Sequence, residues 1–134
     1  MKVVVATDRS ETARKAVAWA ADFAGKSEGE LVLLQVLSEP VDGAEEALAG
    51  DAAALDRARA IVEVDPDVAA AVIRTVDDEQ ADVLVVGNAG MGGRKEFLLG
   101  NVPNRVSHNA RCTIVIVNTA QLSEDKGRKR RFLR

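Results

Sequence analysis

Four residues in the carboxyl-terminal half of the chain have the types and spacing of a phosphate-binding site. Gly87 directly follows the apolar run DVLVV, Gly90 lies three residues later, and nine residues separate Gly90 from Gly100-Asn101. Glycine lets the backbone approach an anion closely, and successive N–H groups can point inward around it. A helix that begins near Asn101 would add free N–H donors. The residues alone leave a simpler interpretation open, in which the glycines only turn a strand into a loop.

Two better-known phosphate motifs do not fit this segment. A P-loop needs the pattern GxxxxGK[ST], but Arg94 precedes Lys95 where that pattern requires glycine. The dinucleotide fingerprint GxGxxG, started from Gly90, would need glycine where Lys95 stands, and it normally follows the first strand rather than the fourth. A P-loop NTPase and an NAD-dependent enzyme are therefore not expected.

Few other residues could do chemistry. Asp8 follows the first apolar run and could orient a ribose, act as a base or only cap its own loop. His108 is the only histidine, so no Ser–His–Asp triad is predicted, and Cys112 is expected to be a buried, inert thiol. Trp19 is expected to pack the first helix. No catalytic residue emerges from this reading.

The elements that must position these residues follow from hydrophobic periodicity. Apolar, β-branched runs predict five strands, at Met1–Thr7, Glu30–Leu37, Ile61–Val64, Asp82–Val86 and Thr113–Val117. Helices are predicted from the Ser10 cap to Gly25, over Asp51–Ala60, from Asp65-Pro66 onward and over Asn101–Ala110. Ser38–Gly50 is predicted to be loop with a helical piece. Alternating strands and helices imply an open parallel sheet with right-handed crossovers, whose ligands bind beyond the carboxyl ends of its strands.

Composition excludes several classes of protein. The chain has 134 residues, is 47% apolar and contains one cysteine, which predicts a single domain without a disulfide framework or a cysteine-rich zinc site. No apolar run is long enough to span a membrane, and the opening MKVVVATDRS lacks the apolar middle of a secretion signal. A cytoplasmic protein with no membrane partner is therefore expected.

Charge is distributed unevenly along the chain. From Ser123 onward six Lys and Arg residues stand against two acids, whereas the rest of the chain has twelve basic and nineteen acidic residues. An acidic body and an aromatic content of 3% argue against binding of nucleic acid.

The spacing G-x2-G-x9-G-N, between a strand reading DVLVVG and one reading TIVIV, resembles the motif of the universal stress protein family. The resemblance runs from about Met1 to Asn118 and includes Asp8-Arg9-Ser10 after the opening strand. It implies a universal stress protein domain over residues 1–120 and a disordered basic tail over 121–134. It also implies a doubly wound, five-stranded parallel sheet of order 3-2-1-4-5, the adenine nucleotide alpha hydrolase-like fold.

In that family the glycine motif marks the ATP-binding branch, so the resemblance implies an ATP site between strands one and four. Carried over by position, the nucleotide-binding residues would be Ala6, Thr7, Asp8, Val36, Val86, Gly87, Gly90, Gly100, Asn101 and Val102. The glycines and Asn101 would hold the phosphates, Asp8 the adenosine portion and Val36 the adenine. Mg²⁺ or Mn²⁺ would travel with the phosphates rather than sit in a cage of protein ligands.

The chain departs from the family pattern at three places. Asn101 stands where the family usually has Ser or Thr, but Asn also caps a helix, so phosphate binding is expected to survive. Arg9 stands where the family usually has Gly. Arg9 and Arg94 could contact phosphate, with a solvent-facing position as the alternative for each. The segment between strands two and three is short, which could open the pocket.

These features favour a nucleotide-binding stress-response or signalling module that acts as a homodimer. A slow ATPase or adenylate-transferring enzyme and a nucleotide-independent dimeric scaffold are the alternatives. Rapid hydrolysis is not expected, because no general base emerges. The family forms dimers by antiparallel pairing of its last strand, and an apolar edge strand such as Thr113–Val117 invites that pairing. The expected partners are an adenine nucleotide and a second copy of the chain.

Overall fold

The computed structural model describes residues 1–87 and 112–118, which form a five-stranded parallel sheet covered on both faces by helices. The strands are β1 (Lys2–Ala6), β2 (Glu30–Leu37), β3 (Ala58–Val64), β4 (Val83–Gly87) and β5 (Thr113–Val117). The helices in these residues are α1 (Glu11–Lys26), α2 (Ala44–Ala53) and α3 (Val68–Glu79). The strand order β3-β2-β1-β4-β5, with every neighbouring pair parallel, confirms the predicted fold class.

The sheet is buried on both faces, which is why its central strands are continuous apolar runs. Alternate residues of a strand point to opposite faces. Val4 and Leu84 therefore belong to the core layer under α3, whereas Val5 and Leu33 belong to the layer under α1 and α2. All four side chains are at most 1% exposed, so the central strands form the interior on which the carboxyl-terminal edge of the sheet rests.

Helix α1 begins as its sequence predicts. The Ser10 hydroxyl accepts a hydrogen bond from the Ala13 N–H at 3.1 Å, which satisfies one of the free donors of the first turn. The helix continues to Lys26, one residue beyond the predicted end at Gly25. Because Ser10 follows β1 so closely, this cap also determines where the connecting loop must end.

Trp19 packs against its own helix rather than against the sheet. Its side chain is exposed on the outer side of α1, where its ring stacks on Phe23 with the centroids 5.3 Å apart. The positions of α1 that face the sheet are Ala16, Ala20 and Ala24. These small side chains let the helix approach the sheet closely, and Trp19 falls outside their stripe.

The segment between β2 and β3 differs most from the sequence-based expectation. Its alanine-rich composition predicts a helix over Asp51–Ala60 and a strand from Ile61, but β3 begins at Ala58. Helix α2 lies mostly within Ser38–Gly50, where a helical piece is expected, and ends at Ala53. Ala58 pairs in register with Leu31, and the Arg57 carbonyl accepts a hydrogen bond from the Leu31 N–H at 3.0 Å. Pairing with a buried neighbouring strand outweighs the helix propensity of alanine, which is a weak preference.

Helix α3 begins later than Asp65-Pro66 predicts. Asp67 is its N-cap and accepts a hydrogen bond from the Ala70 N–H at 3.1 Å. The Asp65 carboxylate accepts one from the Asp67 N–H at 2.9 Å, so Asp65 forms the turn that precedes the helix. Strand β4 likewise lies one residue later than predicted, a difference within the usual uncertainty of element ends.

Two predicted segments lie outside the described residues. They are the short helix over Asn101–Ala110 and the basic tail over 121–134. The division into a domain over 1–120 and a tail stays a prediction. Within the described ranges, no helix is both long and apolar enough to cross a membrane.

Candidate functional site

The strand order reverses at β1. From β1 the chain moves outward to β2 and β3, and α3 then carries it back to β4 on the other side of β1. In an open parallel sheet such a reversal leaves a crevice beyond the carboxyl ends of the two central strands. Val5 is in register with Val85, so the same register brings Thr7 beside Gly87 at the edge of this crevice.

The loop that follows β1 is held by hydrogen bonds to its own polar side chains. Thr7 is only 2% exposed, and its N–H donates to the Leu34 carbonyl at 2.8 Å, which extends the β1–β2 ladder. The Thr7 hydroxyl accepts from the Arg9 N–H at 3.0 Å, and the Asp8 carboxylate accepts from the Ser10 N–H at 2.9 Å. The loop therefore presents the partly buried Asp8 at the crevice in a defined conformation.

Arg9 reaches from this loop to α2. Its Nε donates to Asp51 Oδ2 at 2.7 Å and its Nη2 donates to Oδ1 at 3.2 Å. The hydrogen bond from Arg9 lowers the pKa of Asp51; partial burial opposes it, and the charges of Arg9 and Arg14 reinforce it. The same hydrogen bond raises the pKa of Arg9. Sequence reasoning missed Asp51, because nothing local marks a contact between residues 42 positions apart.

Three of the predicted apolar site residues come together on the α3 side of the sheet. Ala6, Val36 and Val86 lie at or near the carboxyl ends of β1, β2 and β4, are buried, and belong to one core cluster. Their position places a buried apolar layer next to the polar loop. Such a combination suits a ligand with a flat apolar ring and a polar sugar.

Gln35, near the end of β2, was not predicted as a site residue. Its side-chain oxygen is buried, and it accepts no hydrogen bond from any residue that the structure describes. Because Ala6 is in register with Leu34, Gln35 lies beside Thr7 on the face of the sheet that carries α2. The signal available in the sequence was the single polar residue inside the apolar run ELVLLQVL.

The remaining predicted site residues lie outside the described residues. They are Gly90, Arg94, Gly100, Asn101 and Val102. The phosphate-binding half of the site therefore stays a prediction, while the half formed by the ends of β1, β2 and β4 has a described geometry.

Neither a metal cage nor a reactive thiol is found in the described part of the chain. Residues 1–87 and 112–118 contain no group of three or more His, Cys, Asp or Glu side chains that could hold a metal ion. Cys112 is half-buried at the amino end of β5, and its Sγ donates to the Thr113 carbonyl at 3.5 Å. Burial, with the nearby charge of Asp82, raises the pKa of this thiol, which keeps it protonated and unreactive at neutral pH.

Comparison with known proteins agrees with this architecture. The family model described as "Universal stress protein family" matches residues 1–64 and 44–118. Universal stress protein Rv1636 of Mycobacterium tuberculosis is 32% identical over 139 aligned positions, which cover 87% of this chain and 95% of that protein.

Solved structures show the same fold. A universal stress protein in complex with cAMP is similar with a TM-score of 0.65 and 25% identity, covering 90% of this chain and 98% of that one. The universal stress protein from Archaeoglobus fulgidus in complex with dAMP also has a TM-score of 0.65, with 18% identity over 88% of this chain and 98% of that one. The chain therefore has the adenine nucleotide alpha hydrolase-like fold.

Proposed function

The chain belongs to the universal stress protein family, and from that premise we propose that it binds an adenine nucleotide, ATP above all, between the ends of β1 and β4. The observation that carries the proposal is the reversal of strand order at β1, with Asp8 at the mouth of the resulting crevice. In this reading the protein is a cytoplasmic stress-response or signalling module whose interactions change when the nucleotide binds.

The described residues suit the nucleoside half of the ligand. Ala6, Val36 and Val86 would underlie the adenine, and Asp8 would accept hydrogen bonds from ribose hydroxyls. A carboxylate has about four lone-pair sites, so accepting the Ser10 N–H leaves Asp8 able to accept further donors. Support for the adenine ring comes from the similar universal stress protein that was solved with cAMP. The complex with dAMP adds that the same fold accommodates this class of ligand.

The phosphates would lie against the backbone N–H groups of Gly87, Gly90, Gly100 and Asn101, with Val102 flanking them. A bound Mg²⁺ or Mn²⁺ would neutralise phosphate charge. Acidic side chains of the described residues form no cage for it, so the phosphates themselves would be its main ligands.

Calorimetric titration with ATP and Mg²⁺ tests the site, after chromatography and mass spectrometry of any nucleotide released on denaturation. Gly90→Val adds a branched side chain where the backbone must approach phosphate, and Asp8→Ala removes the ribose acceptor. Each should weaken binding by about ten-fold or more, roughly the loss of one charge-assisted hydrogen bond.

Two control variants make the same chemical changes elsewhere. A Cβ at Gly25 would meet no atom within 4 Å, so Gly25→Val should bind normally, and so should Asp78→Ala at the exposed end of α3. Normal affinity in Gly90→Val would contradict the proposed phosphate site. Absence of binding by the unaltered protein would reject nucleotide binding and favour the scaffold. ATP turnover that falls in Asp8→Ala without loss of binding would favour the slow enzyme.

We further propose that two copies pair through β5. This strand lies at one edge of the described sheet, and Ile116 on it is 45% exposed. Val64, 47% exposed on the opposite edge strand β3, offers a matched control. Light scattering at micromolar concentration should report a dimer that Ile116→Lys dissociates and Val64→Lys leaves intact. A monomeric unaltered protein would contradict the pairing.

A further inference from the structure

The ion pair between Arg9 and Asp51 joins the loop after β1 to α2. Both side chains are about two-thirds buried, and the two hydrogen bonds hold the guanidinium and carboxylate groups in a fork-to-fork arrangement. Arg–carboxylate pairs of this kind fix the direction of both groups as well as their distance. The pair thus connects the proposed nucleotide loop to a helix that contributes none of the predicted site residues.

The backbone conformation of Arg9 is one that the ion pair can stabilise. Arg9 has a φ of 66°, in the left-handed region that side chains with a Cβ disfavour. Glu28 and Gln80 also have positive φ, but they lie at the ends of α1 and α3, where a left-handed residue commonly ends a helix. Arg57, the fourth such residue, lies in the turn directly before β3. Arg9 follows a strand and precedes a helix, so no helix end accounts for its conformation.

Two contacts hold Arg9 in that conformation. On the main chain, its N–H donates to the buried Thr7 hydroxyl, and on the side chain, its guanidinium is anchored by Asp51. Helix α2 is itself fixed to the sheet by Leu48 and Ala52, which are buried in the core layer under it. Asp51 is therefore a rigid anchor, and Arg9 is the part that would relax if the anchor were removed.

We propose that Asp51 is a positioning residue for nucleotide binding, which acts through Arg9 to hold the Thr7–Ser10 loop, and with it Asp8, in the binding conformation. This inference rests on the proposed function. Asp51 touches no nucleotide in this arrangement, because its two oxygens are directed at Arg9. Arg9 likewise makes no phosphate contact in this proposal, because its Nε and Nη2 both donate to Asp51. Asp51 contributes by stabilising the left-handed backbone conformation of Arg9, which is disfavoured without this contact.

Glycine at position 9 separates this role from a merely structural one. Glycine adopts positive φ without strain, so Arg9→Gly should keep the loop conformation without any anchor. Arg9→Ala keeps a Cβ and removes the anchor. We expect Asp51→Ala and Arg9→Ala to raise the Kd for ATP about five-fold each, and Arg9→Gly to stay near the unaltered value. In the Arg9→Gly background, Asp51→Ala should have no further effect.

Glu63→Ala is the matched control. Glu63 is 35% exposed against 34% for Asp51, and it too accepts a hydrogen bond from one arginine, Arg74, but on β3 and α3. Its removal should leave the Kd unchanged. The inference is overturned if Asp51→Ala binds ATP normally, if Arg9→Gly weakens binding as much as Arg9→Ala, or if Glu63→Ala weakens it equally.

A second measurement does not depend on nucleotide. Hydrogen exchange of the Ser10 N–H in the ligand-free protein should lose protection about five-fold in Asp51→Ala and keep it in Arg9→Gly. If the unaltered protein binds no adenine nucleotide, this exchange result still shows whether Asp51 holds the loop, and the failure then belongs to the proposed function. Unchanged Ser10 protection in Asp51→Ala would overturn the positioning role.

Discussion

The two ends of the sheet handle their polar groups in different ways. At the amino-terminal edge, Glu79 accepts hydrogen bonds from both Lys2 and Arg59, and the Lys2 N–H donates to the Asp82 carboxylate at 2.8 Å. Burial raises the pKa of Glu79, but the hydrogen bonds from Arg59 and Lys2 outweigh it and leave the pKa below its usual value. Basic side chains of β1 and β3 thus pair with an acidic side chain at the end of α3, and the acidic side chain just before β4 accepts from the β1 backbone.

The carboxyl-terminal edge keeps a strained residue and an unmatched group. Arg9 adopts a left-handed conformation directly after a strand, and the buried Gln35 oxygen accepts nothing from the described residues. Strain and unsatisfied polar groups persist where a fold serves binding rather than stability. Arg57, directly before β3 at the amino-terminal edge, is left-handed as well, so the contrast rests mainly on the unpaired Gln35 oxygen. That contrast agrees with the ligand site proposed at the carboxyl-terminal edge.

Glu79→Ala gives the largest expected effect and tests the stabilising edge. It leaves Lys2 and Arg59 without their shared carboxylate, which is only 18% exposed, and should lower the free energy of unfolding by about 2 kcal/mol. Urea unfolding measures the change. Nucleotide affinity should not change, and the exposed neighbour Asp78→Ala should affect neither quantity. A loss of affinity without loss of stability would reverse the assignment of the two edges.

Gln35→Met tests the unmatched group at the other edge. Methionine has nearly the same size and no oxygen to leave unpaired, so the variant should gain about 1 kcal/mol in free energy of unfolding. Urea unfolding of the ligand-free protein is again the measurement. A loss of stability would mean that the Gln35 oxygen is satisfied in solution, and the contrast between the edges would then lose its main support.

Low pH should reduce the stabilisation that Asp51 and Glu79 give to the two edges of the sheet. The folded pKa values of Asp51 and Glu79 lie below their ordinary values, so each carboxylate stabilises the fold above the unfolded pKa, about 4. That contribution is lost as the pH falls through the folded pKa. Asp51→Asn should therefore lower the free energy of unfolding by about 0.5 kcal/mol at pH 7. It should change nothing at a pH where Asp51 is protonated in both the folded and the unfolded protein. Urea unfolding from pH 7 downward measures this, with exposed Asp78→Asn as the control. A difference that persists in strong acid would mean that Asp51 acts through packing.

Local patterns predicted the elements that build the fold. Five apolar runs predicted five strands, Ser10 predicted the start of α1, and the resemblance carried by the glycine motif implied the strand order that the structure confirms. Failures occurred where a long-range contact overrides a local preference. Ala58 is in β3 rather than a helix because β2 lies beside it.

Local sequence patterns predict the class of the fold and the residue types at the end of each strand. Those depend on periodicity and on caps within a few residues, which are local properties. The contacts of Asp51 with Arg9, of Gln35 with Thr7 and of Glu79 with Lys2 and Arg59 follow only from the folded arrangement. These contacts join segments far apart in the chain, and their partners are chosen by the packing of helices on the sheet. A single sequence carries no local mark of that choice.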